Sequence, residues 1–226
     1  MNAEHSIPQA GTPFVCSWSG GKDSCLALYR AASAGARPKF LLTMLQEDGK
    51  RSRSHGLARD VLQAQALALG IPLLTRATSW DEYEAVFVAA LQGLSEAGIE
   101  AGVFGDIDIE DHRLWEEKVC GAAGIGAYLP LWKTPRLELF DEFLSRGFEA
   151  VIVAVCEEKL DKAYLGETLS VELAREFDRL GIDPAGEEGE YHTVVTNGPI
   201  FSRPLRLEVG EQVFRSGYWF LDLCVV

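Results

Sequence analysis

A six-residue stretch, Ser19-Gly20-Gly21-Lys22-Asp23-Ser24, combines the residue types that hold a phosphate group. It follows a short apolar run and precedes a segment with helical spacing, so it is predicted to open a helix at the end of a strand. Helix N-termini offer unpaired N–H groups and a partial positive charge, and glycine lets the backbone approach an anion closely. Ser19 and Ser24 add hydroxyl groups, and Lys22 adds a positive charge. This stretch, called the glycine loop below, therefore predicts a phosphate cradle in which Asp23 is a candidate Mg²⁺ ligand.

The glycine loop differs from the two commonest phosphate-binding motifs. The P-loop requires a glycine where this chain has Cys16, and a serine or threonine where it has Asp23. The GxGxxG pattern is absent as well. A tight turn between strand and helix, with an exposed lysine, remains the alternative interpretation.

Acidic residues cluster just after the predicted strand at 100–104, at Asp106, Asp108, Glu110 and Asp111. Crowded carboxylates shift one another's pKa and favour cation binding. Gly105 and Asp106 are the candidates for nucleotide or Mg²⁺ contact, because they come first after the strand. A solvated acidic loop is the alternative.

A second acidic group, Glu187, Glu188 and Glu190, lies in a turn-like segment near the C-terminal end of the sequence. Burying several carboxylates without partners is very costly, so these are either exposed or gathered around a cation or an amine. A carboxylate such as Glu190 is chemically suited to bind ammonium or to remove a proton from it. An acidic surface turn explains the composition equally well.

Three further residues are candidates for nucleotide contact. Met44 and Leu45 end the second predicted strand, where an adenine would rest against backbone and apolar side chains. His55 is predicted at the start of the second helix, within reach of nucleotide or substrate. A capping or packing role for His55 is the alternative.

The elements that must position these residues alternate between strand and helix in the first part of the chain. This alternation predicts a Rossmann-like α/β fold of the HUP type, with a parallel sheet, flanking helices and right-handed crossovers. Strands are predicted at 14–18, 40–45, 73–76, 100–104 and 126–128, and helices at 22–34, 55–69, 80–97 and 111–123.

The later part of the chain predicts a smaller α/β domain. Helices are expected at 137–145 and 168–180, and a buried strand at 150–156. Short strands are expected from residue 191, around turns at Asn197-Gly198 and at Gly210. Pro130 and Pro135 bracket a linker, which divides the chain into an ATP-binding domain at 1–130 and a substrate domain at 131–226.

Composition narrows the class of protein. Of the 226 residues, 34 are acidic and 21 are Lys or Arg, giving a net charge of −13. This balance argues against nucleic acid as the main partner. Five cysteines without a CxxC spacing favour a reducing, cytoplasmic compartment, and four scattered histidines show no metal-ligand spacing. The N-terminal stretch lacks the basic and apolar regions of a secretory signal and is expected to be a loose leader, and no apolar run is long enough to span a membrane.

Ser19–Ser24, SGGKDS, resemble the signature of the PP-loop ATP pyrophosphatases, the adenine nucleotide α-hydrolase superfamily. Within it the chain resembles the diphthine–ammonia ligase family over essentially its whole length. Three segments carry this resemblance: Gly105–Ile107, the H-R-x-W-x-E-x-x-C stretch at His112–Cys120, and GEEGEYHT at Gly186–Thr193. Within the last segment His192 stands where eukaryotic and archaeal members tend to have glutamate, which is similar to bacterial relatives.

The resemblance implies an assignment of site residues. It makes Lys22, Asp23 and Glu190 catalytic, with Asp23 and Asp106 as Mg²⁺ ligands. The residues expected at ATP are Trp18, Ser19, Gly20, Gly21, Lys22, Asp23, Ser24, Met44, Leu45, His55, Gly105 and Asp106. Those expected at substrate and ammonia are Glu187, Glu188, Gly189, Glu190, Tyr191 and Thr193.

The function implied is that of an ATP-dependent carbon–nitrogen ligase. ATP would be cleaved to AMP and pyrophosphate, a carboxylate would be adenylated, and ammonia would replace AMP to give an amide. The expected partners are ATP, Mg²⁺, ammonium and a carboxylate-bearing substrate, without nucleic acid or membrane, and a homodimer remains open. The alternatives are a nucleotide-binding sensor without turnover and a PP-loop enzyme that modifies tRNA.

Overall fold

The structure is a computed structural model that describes residues 6–226, so part of the expected leader lies outside it. The chain divides into two compact units, each built from separate stretches of sequence. The first unit extends to Ser19 and includes Asp23–Lys50 and Ile71–Thr134, whereas the second comprises Gly20–Lys22, Arg51–Gly70 and Pro135–Val226. The domain boundary between residues 130 and 131 stays a prediction. Among the described residues, no helix combines the length and apolarity needed to cross a bilayer.

The first unit is built on a five-stranded parallel sheet in the order β3-β2-β1-β4-β5. Its strands are β1 (Pro13–Ser17), β2 (Arg37–Leu45), β3 (Leu73–Ala77), β4 (Ala101–Val103) and β5 (Gly126–Tyr128). The helices are α1 (Lys22–Ser33, whose first residue belongs to the second unit), α3 (Tyr83–Glu96) and α4 (Glu110–Ala122). This architecture confirms the Rossmann-like prediction.

The core of the first unit explains the apolar runs of its strands. The β4 strand is buried along its whole length, and the last five residues of β2 are buried. Phe87 and Leu91 of α3 pack with Val119 of α4 against this sheet. Strands covered in this way carry continuous rather than alternating apolar residues.

The second unit contains a four-stranded sheet in the order β7-β6-β9-β8, in which every pairing is antiparallel. The strands are β6 (Glu149–Cys156), β7 (Tyr191–Asn197), β8 (Leu207–Arg215) and β9 (Tyr218–Val225). The helices are α2 (Arg59–Leu69), α5 (Arg136–Ser145) and α6 (Val171–Leu180), with a short 3₁₀ helix at Lys162–Tyr164. The smaller C-terminal α/β region predicted from sequence is therefore present.

Three helices begin later than their sequence patterns predict: α2, α6 and α3, the last of which begins at Tyr83 and not at residue 80. Residues before α2 form a turn closed by a bridge between Arg51 and Ala58, so His55 precedes the helix instead of starting it. The α6 helix begins after Ser170, whose hydroxyl accepts a hydrogen bond from the Leu173 amide, which is the usual N-cap arrangement. Local hydrogen bonding thus decided the starts of α2 and α6.

The predicted turn at Gly210 was wrong. Gly210 lies inside β8, where the pairing with β9 shifts register between Val209 and Gln212. The chain reverses instead at Ser216 and Gly217, which have φ values of 50° and 83°. Glycine within a strand marks such an irregularity as often as it marks a turn.

A buried amide in the second unit fixes the first part of the glycine loop. The Gln65 side chain is fully buried, and its Nε2 donates to the carbonyl oxygens of Gly20 and Val195, both at 2.8 Å. The Val195 amide also donates to the Gly20 oxygen, at 2.9 Å. Gly20 has a φ of 85°, a conformation that glycine adopts without strain. One helix side chain therefore joins the loop to β7.

A carboxyl pair in the first unit fixes the chain just after β4. Burial raises the pKa of Glu116 to about 11, and its hydrogen bond with Asp106 contributes in the same direction. Burial opposes ionisation of Asp106 too, but hydrogen bonds from His112 and Glu116 hold the pKa of Asp106 below its usual value. Glu116 is therefore protonated and donates to an ionised Asp106.

We expect Gln65→Leu to destabilise the protein by about 2 kcal/mol, because it leaves buried carbonyl oxygens short of a donor. Gln63→Leu is the matched control, because Gln63 is an exposed glutamine on the same helix. Urea unfolding measures both. Equal midpoints for the two variants would contradict the role of Gln65.

We expect Glu116→Gln to make the free energy of unfolding less dependent on pH. A folded-state pKa raised from 4.5 stabilises the protein fully below pH 4.5 and progressively less up to the folded pKa of about 11. Between pH 5 and 9 the free energy of unfolding of the wild type should fall, relative to that of the variant, by up to about 1.4 kcal/mol per pH unit. Denaturant unfolding in metal-free buffer measures this. Glu117→Gln, the same change one residue later, should keep the wild-type slope, and a wild-type slope in Glu116→Gln would refute the shared proton.

Candidate functional site

The strand order of the first unit changes direction between β1 and β4. After β1 the chain continues to β2 and β3 on one side of the sheet, whereas after β4 it continues to β5 on the other side. Open α/β sheets bind ligands beyond the carboxyl ends of the two strands at which the order changes direction in this way. Gly105 follows β4, and a Cβ there would lie 2.7 Å from the Ser24 amide nitrogen and 2.8 Å from the Asp23 carbonyl carbon. Only glycine allows this approach. The first unit thus brings Gly105 and Asp106 next to the start of α1.

The serines of the glycine loop contact each other in the first unit. The Ser19 and Ser24 hydroxyl oxygens lie 3.0 Å apart in a hydrogen bond. The hydroxyl groups expected to donate to a phosphate therefore lie together.

Lys22 is held through both of its nitrogens within the second unit. Its backbone amide donates to the Thr193 hydroxyl at 3.1 Å. Its Nζ forms an ion pair with Glu187 Oε1 at 3.0 Å, with only 9% and 16% of the two side chains exposed. Sequence-distant motifs, the glycine loop and the GEEGEYHT segment, therefore meet at one lysine.

His55 packs directly on the glycine loop. A Cβ on Gly21 would lie 2.3 Å from His55 Cε1 and 3.2 Å from the Thr193 carbonyl oxygen. The His55 ring donates through Nδ1 to that same oxygen at 2.8 Å, since a carbonyl can only accept. The predicted contact of His55 with nucleotide stays a prediction, whereas its contact with the loop is a feature of the fold.

A column of rings continues from His55. The His192 ring centroid lies 4.6 Å from that of His55 and 5.8 Å from that of Tyr218. Burial, with the nearby His55 and Lys22, holds the pKa of His192 well below its usual range. His192 is therefore a neutral imidazole at neutral pH. Burial also raises the pKa of Tyr218, so its hydroxyl stays protonated.

The segment that carries the three glutamates is organised by Asp183. Asp183 Oδ2 pairs with Arg136 at 2.7 Å and accepts from the Glu187 amide at 3.2 Å. Asp183 Oδ1 accepts from the Ala185 amide at 2.9 Å, and the Tyr191 hydroxyl donates to the Pro184 carbonyl oxygen. The segment is therefore a hydrogen-bonded structure, not a loose acidic turn.

The three glutamates occupy different environments. Glu187 pairs with Lys22. The Glu188 side chain is 64% exposed, and its Oε1 lies 3.7 Å from a guanidinium nitrogen of Arg136. Glu190 is buried, and its Oε2 accepts from the Glu188 amide at 3.0 Å. Between them, the Gly189 carbonyl oxygen accepts from the Tyr218 hydroxyl at 2.8 Å. The carboxylates that an ammonium ion could use are thus separated in position and exposure.

Asp106 of the acidic cluster is held by hydrogen bonds. It receives a hydrogen bond from His112 Nδ1 at 2.7 Å, in addition to the one from Glu116. This contact gives His112 a polar role in the first unit. Trp115 is partly buried and packs against the core, with its ring centroid 5.2 Å from that of Phe87.

The side chains expected near adenine are buried in the first unit. Trp18 is 2% exposed, and its carbonyl oxygen accepts from the Thr43 hydroxyl at 2.6 Å. Met44 and Leu45 are 5% and 2% exposed, and Met44 belongs to the core around Phe87. Contact of these residues with nucleotide stays a prediction.

The described residues contain no group of three or more His, Cys, Asp or Glu arranged to hold a metal ion. Their five cysteines are free thiols. Mg²⁺ commonly takes one or two carboxylates together with substrate phosphates, so Asp23 and Asp106 remain chemically suitable donors.

Sequence reasoning missed Gln65, Arg136 and Asp183. A single glutamine in a helical pattern does not indicate that its side chain is buried. An arginine after Pro135 does not indicate which carboxylate it pairs with. The role of Asp183 could have been predicted, because Asp-Pro-Ala-Gly is typical of a turn stabilised by the aspartate side chain.

The chain is similar to diphthine–ammonia ligases of eukaryotes. It is 26% identical to that of Danio rerio over 223 residues, covering 88% of this chain and 87% of the relative. It is 24% identical to that of Homo sapiens, covering 84% of the relative. It is 27% identical to that of Schizosaccharomyces pombe, but spans only 36% of that protein.

A solved structure is also similar, that of a predicted subunit of tRNA methyltransferase from Methanocaldococcus jannaschii. It is 18% identical, with a TM-score of 0.46, and the match covers 83% of this chain and 98% of that one.

Two family models account for nearly the whole chain. The diphthamide synthase N-terminal domain matches residues 14–127, which include the glycine loop and the chain after β4. The diphthamide synthase C-terminal domain matches residues 135–225, which include the segment around Glu187. With Lys22 held by Glu187 and Thr193 at the junction of both motifs, the chain belongs to the diphthamide synthase family.

Proposed function

We propose that this protein is an ATP-dependent carbon–nitrogen ligase that forms an amide from a carboxylate and ammonia. The observation that carries the proposal is the meeting of the glycine loop with the GEEGEYHT segment at Lys22. A phosphate-binding motif and a carboxylate-rich motif at one lysine suit a reaction that consumes a triphosphate and an ammonium ion. The name of the relatives, diphthine–ammonia ligase, supports the same reaction class.

The glycine loop supplies the features that a departing pyrophosphate needs. It opens α1, whose N-terminus carries a partial positive charge, and Lys22 adds a full one. Gly20, Gly21 and Gly105 each occupy a position where a side chain would strain or fill the space. We therefore assign the β- and γ-phosphates of ATP to this loop.

Mg²⁺ would be held by Asp23 and Asp106 together with phosphate oxygens. When bound, it would neutralise charge on the triphosphate. Asp106 is suited to this role because the hydrogen bonds from His112 and Glu116 keep it ionised.

The chain's own residues then divide the remaining work. Lys22 stabilises the negative charge that leaves with pyrophosphate when a substrate carboxylate attacks the α-phosphate. Ammonia next attacks the resulting acyl-adenylate, releasing AMP and forming the amide. Glu190, buried beside the Glu188 amide, is assigned to bind ammonium and take its proton.

The other GEEGEYHT residues position this machinery. Tyr191 and Thr193 are the first and third residues of β7. The Gly189 carbonyl oxygen accepts a hydrogen bond from the Tyr218 hydroxyl. Diphthine is the first acceptor to test, following the name of the relatives. A cytoplasmic location and the absence of a nucleic acid partner remain predictions from composition.

We expect the protein to convert ATP to AMP and pyrophosphate only when Mg²⁺, ammonium and a carboxylate acceptor are all present. Thin-layer or mass-spectrometric analysis of labelled ATP measures the products. Formation of ADP would exclude the adenylation chemistry. Binding of ATP without any product, even with diphthine-containing protein as acceptor, would favour the sensor alternative.

We expect Lys22→Ala to lower the rate of AMP formation by about 100-fold or more, the usual effect of removing one preorganised charge-stabilising donor. Lys39→Ala is the matched control, because Lys39 is exposed and lies on β2 away from the loop. Circular dichroism checks that both variants are folded. A folded Lys22→Ala variant with the wild-type rate would remove the lysine from the mechanism.

A further inference from the structure

A cavity of about 460 Å³ lies in the second unit. It is lined by Ala64 and Ala68 of α2, by residues 203–206, and by Val225 and Val226 at the end of β9. None of these residues is among those assigned to the reaction above. The volume falls within the range of roughly 300–1,000 Å³ that is typical of small-molecule sites.

The α2 wall of the cavity is apolar and is made of small side chains. Ala64 and Ala68 are four residues apart, so they lie on the same face of the helix. Leu205 and Val225 add further apolar surface to the lining. The cavity can therefore enclose the apolar part of a small ligand.

Two arginines, Arg203 and Arg206, give the same cavity two positive charges. Both are exposed, and neither guanidinium forms a hydrogen bond or an ion pair with any residue from 6 to 226. The chain carries 34 acidic residues, so carboxylates are abundant, yet none is placed on these two groups. Guanidinium groups bind the oxygens of carboxylates and phosphates in pairs. The cavity thus combines an apolar wall with two groups suited to an anion.

The segment that carries the arginines is anchored by its backbone. The Ser202 amide and hydroxyl both donate to the Ala68 carbonyl oxygen, at 2.8 and 2.7 Å. The Leu205 amide donates to the Thr196 carbonyl oxygen at 2.8 Å. Pro204, between the arginines, restricts the backbone further. A ligand would therefore order the arginine side chains but not the backbone that carries them, which lowers the entropic cost of binding.

The number of positive charges favours one class of anion. A phosphate monoester carries about 1.5 to 2 negative charges at pH 7, on three oxygens that two guanidinium groups can share. A monocarboxylate would balance only one of the two arginines. A phosphate monoester also brings an organic group for the apolar wall, which inorganic phosphate lacks.

We infer that this cavity binds a small organic phosphate monoester. Its phosphate pairs with Arg203 and Arg206, and its organic group packs against Ala64 and Ala68. The inference does not rest on the proposed function, because the cavity contains none of the residues assigned to the reaction. It gives the second unit a ligand site in addition to the GEEGEYHT segment.

Calorimetry with phenyl phosphate tests the two arginines. We expect Arg203→Ala and Arg206→Ala each to weaken binding about tenfold or more, because each removes charge-assisted hydrogen bonds. Arg175→Ala is the matched control, since Arg175 is an exposed arginine on α6 of the same unit, and it should bind like the wild type. Thermal melting checks that the variants are folded. Failure of the wild type to bind, or wild-type affinity in both Arg203→Ala and Arg206→Ala, would overturn the inference.

A bulky substitution tests the apolar wall. Ala64→Phe places a ring in the cavity, so we expect it to weaken the binding of phenyl phosphate about tenfold or more. Leu67→Phe is the matched control, because Leu67 is 63% exposed on the same helix and does not line the cavity. Equal affinity in Ala64→Phe and the wild type would place the probe outside the cavity and contradict the inference.

Two further probes test the class of ligand in the wild type. Inorganic phosphate should bind about tenfold more weakly than phenyl phosphate, because only the ester buries an apolar group. Benzoate, which has the same ring and a single charge, should also bind more weakly. Equal affinity for inorganic phosphate would reduce the arginines to an adventitious anion site, and tighter binding of benzoate would reject the phosphate monoester.

The glycine loop is itself assigned to phosphates, so Lys22→Ala distinguishes the two locations. This variant should keep the wild-type affinity for phenyl phosphate, because Lys22 does not line the cavity. A loss of binding confined to Lys22→Ala would place the probe at the glycine loop and overturn the inference. A protein that binds phenyl phosphate through its arginines but never forms AMP would refute the proposed function and leave this site standing.

Discussion

The contacts of Lys22 are the constraint on which the candidate site depends. A lysine this buried needs a counter-charge, and Glu187 provides it at 3.0 Å while Thr193 accepts from the backbone amide. These contacts join Lys22 to the GEEGEYHT segment within the second unit. Gln65 reinforces this connection by bonding Gly20 and Val195 at once. The chemistry assigned to either motif therefore requires that the other be in place.

Buried ionisable groups are accommodated in three different ways. Lys22 and Glu187 are paired with opposite charge, whereas Glu116 keeps its proton and donates a hydrogen bond to Asp106. His192 loses its proton, because burial, with His55 and Lys22 nearby, disfavours its charged form. All three outcomes follow from the cost of an isolated charge away from water. They leave Asp106 and Glu187 as ionised carboxylates at defined positions.

The predictions from sequence succeeded where the signal was local. The five parallel strands follow from apolar runs and glycine stops, and the loop at Ser19–Ser24 opens a helix as its composition indicates. They failed where local hydrogen bonding competed with pattern, as at the start of α2 and at Gly210. The roles of His55 and the three glutamates were left open, because composition cannot distinguish an exposed carboxylate from a paired one.

The sequence by itself determined the fold class and the family, and it identified the residue types able to bind phosphate and ammonium. Those properties follow from periodicity and from short motifs whose residues are neighbours in the chain. Only the tertiary structure decided that Glu187 meets Lys22, that Gly105 touches the start of α1 and that Glu116 shares a proton with Asp106. Such pairs join residues separated along the chain, and their partners depend on strand order and burial, which no short stretch of sequence specifies.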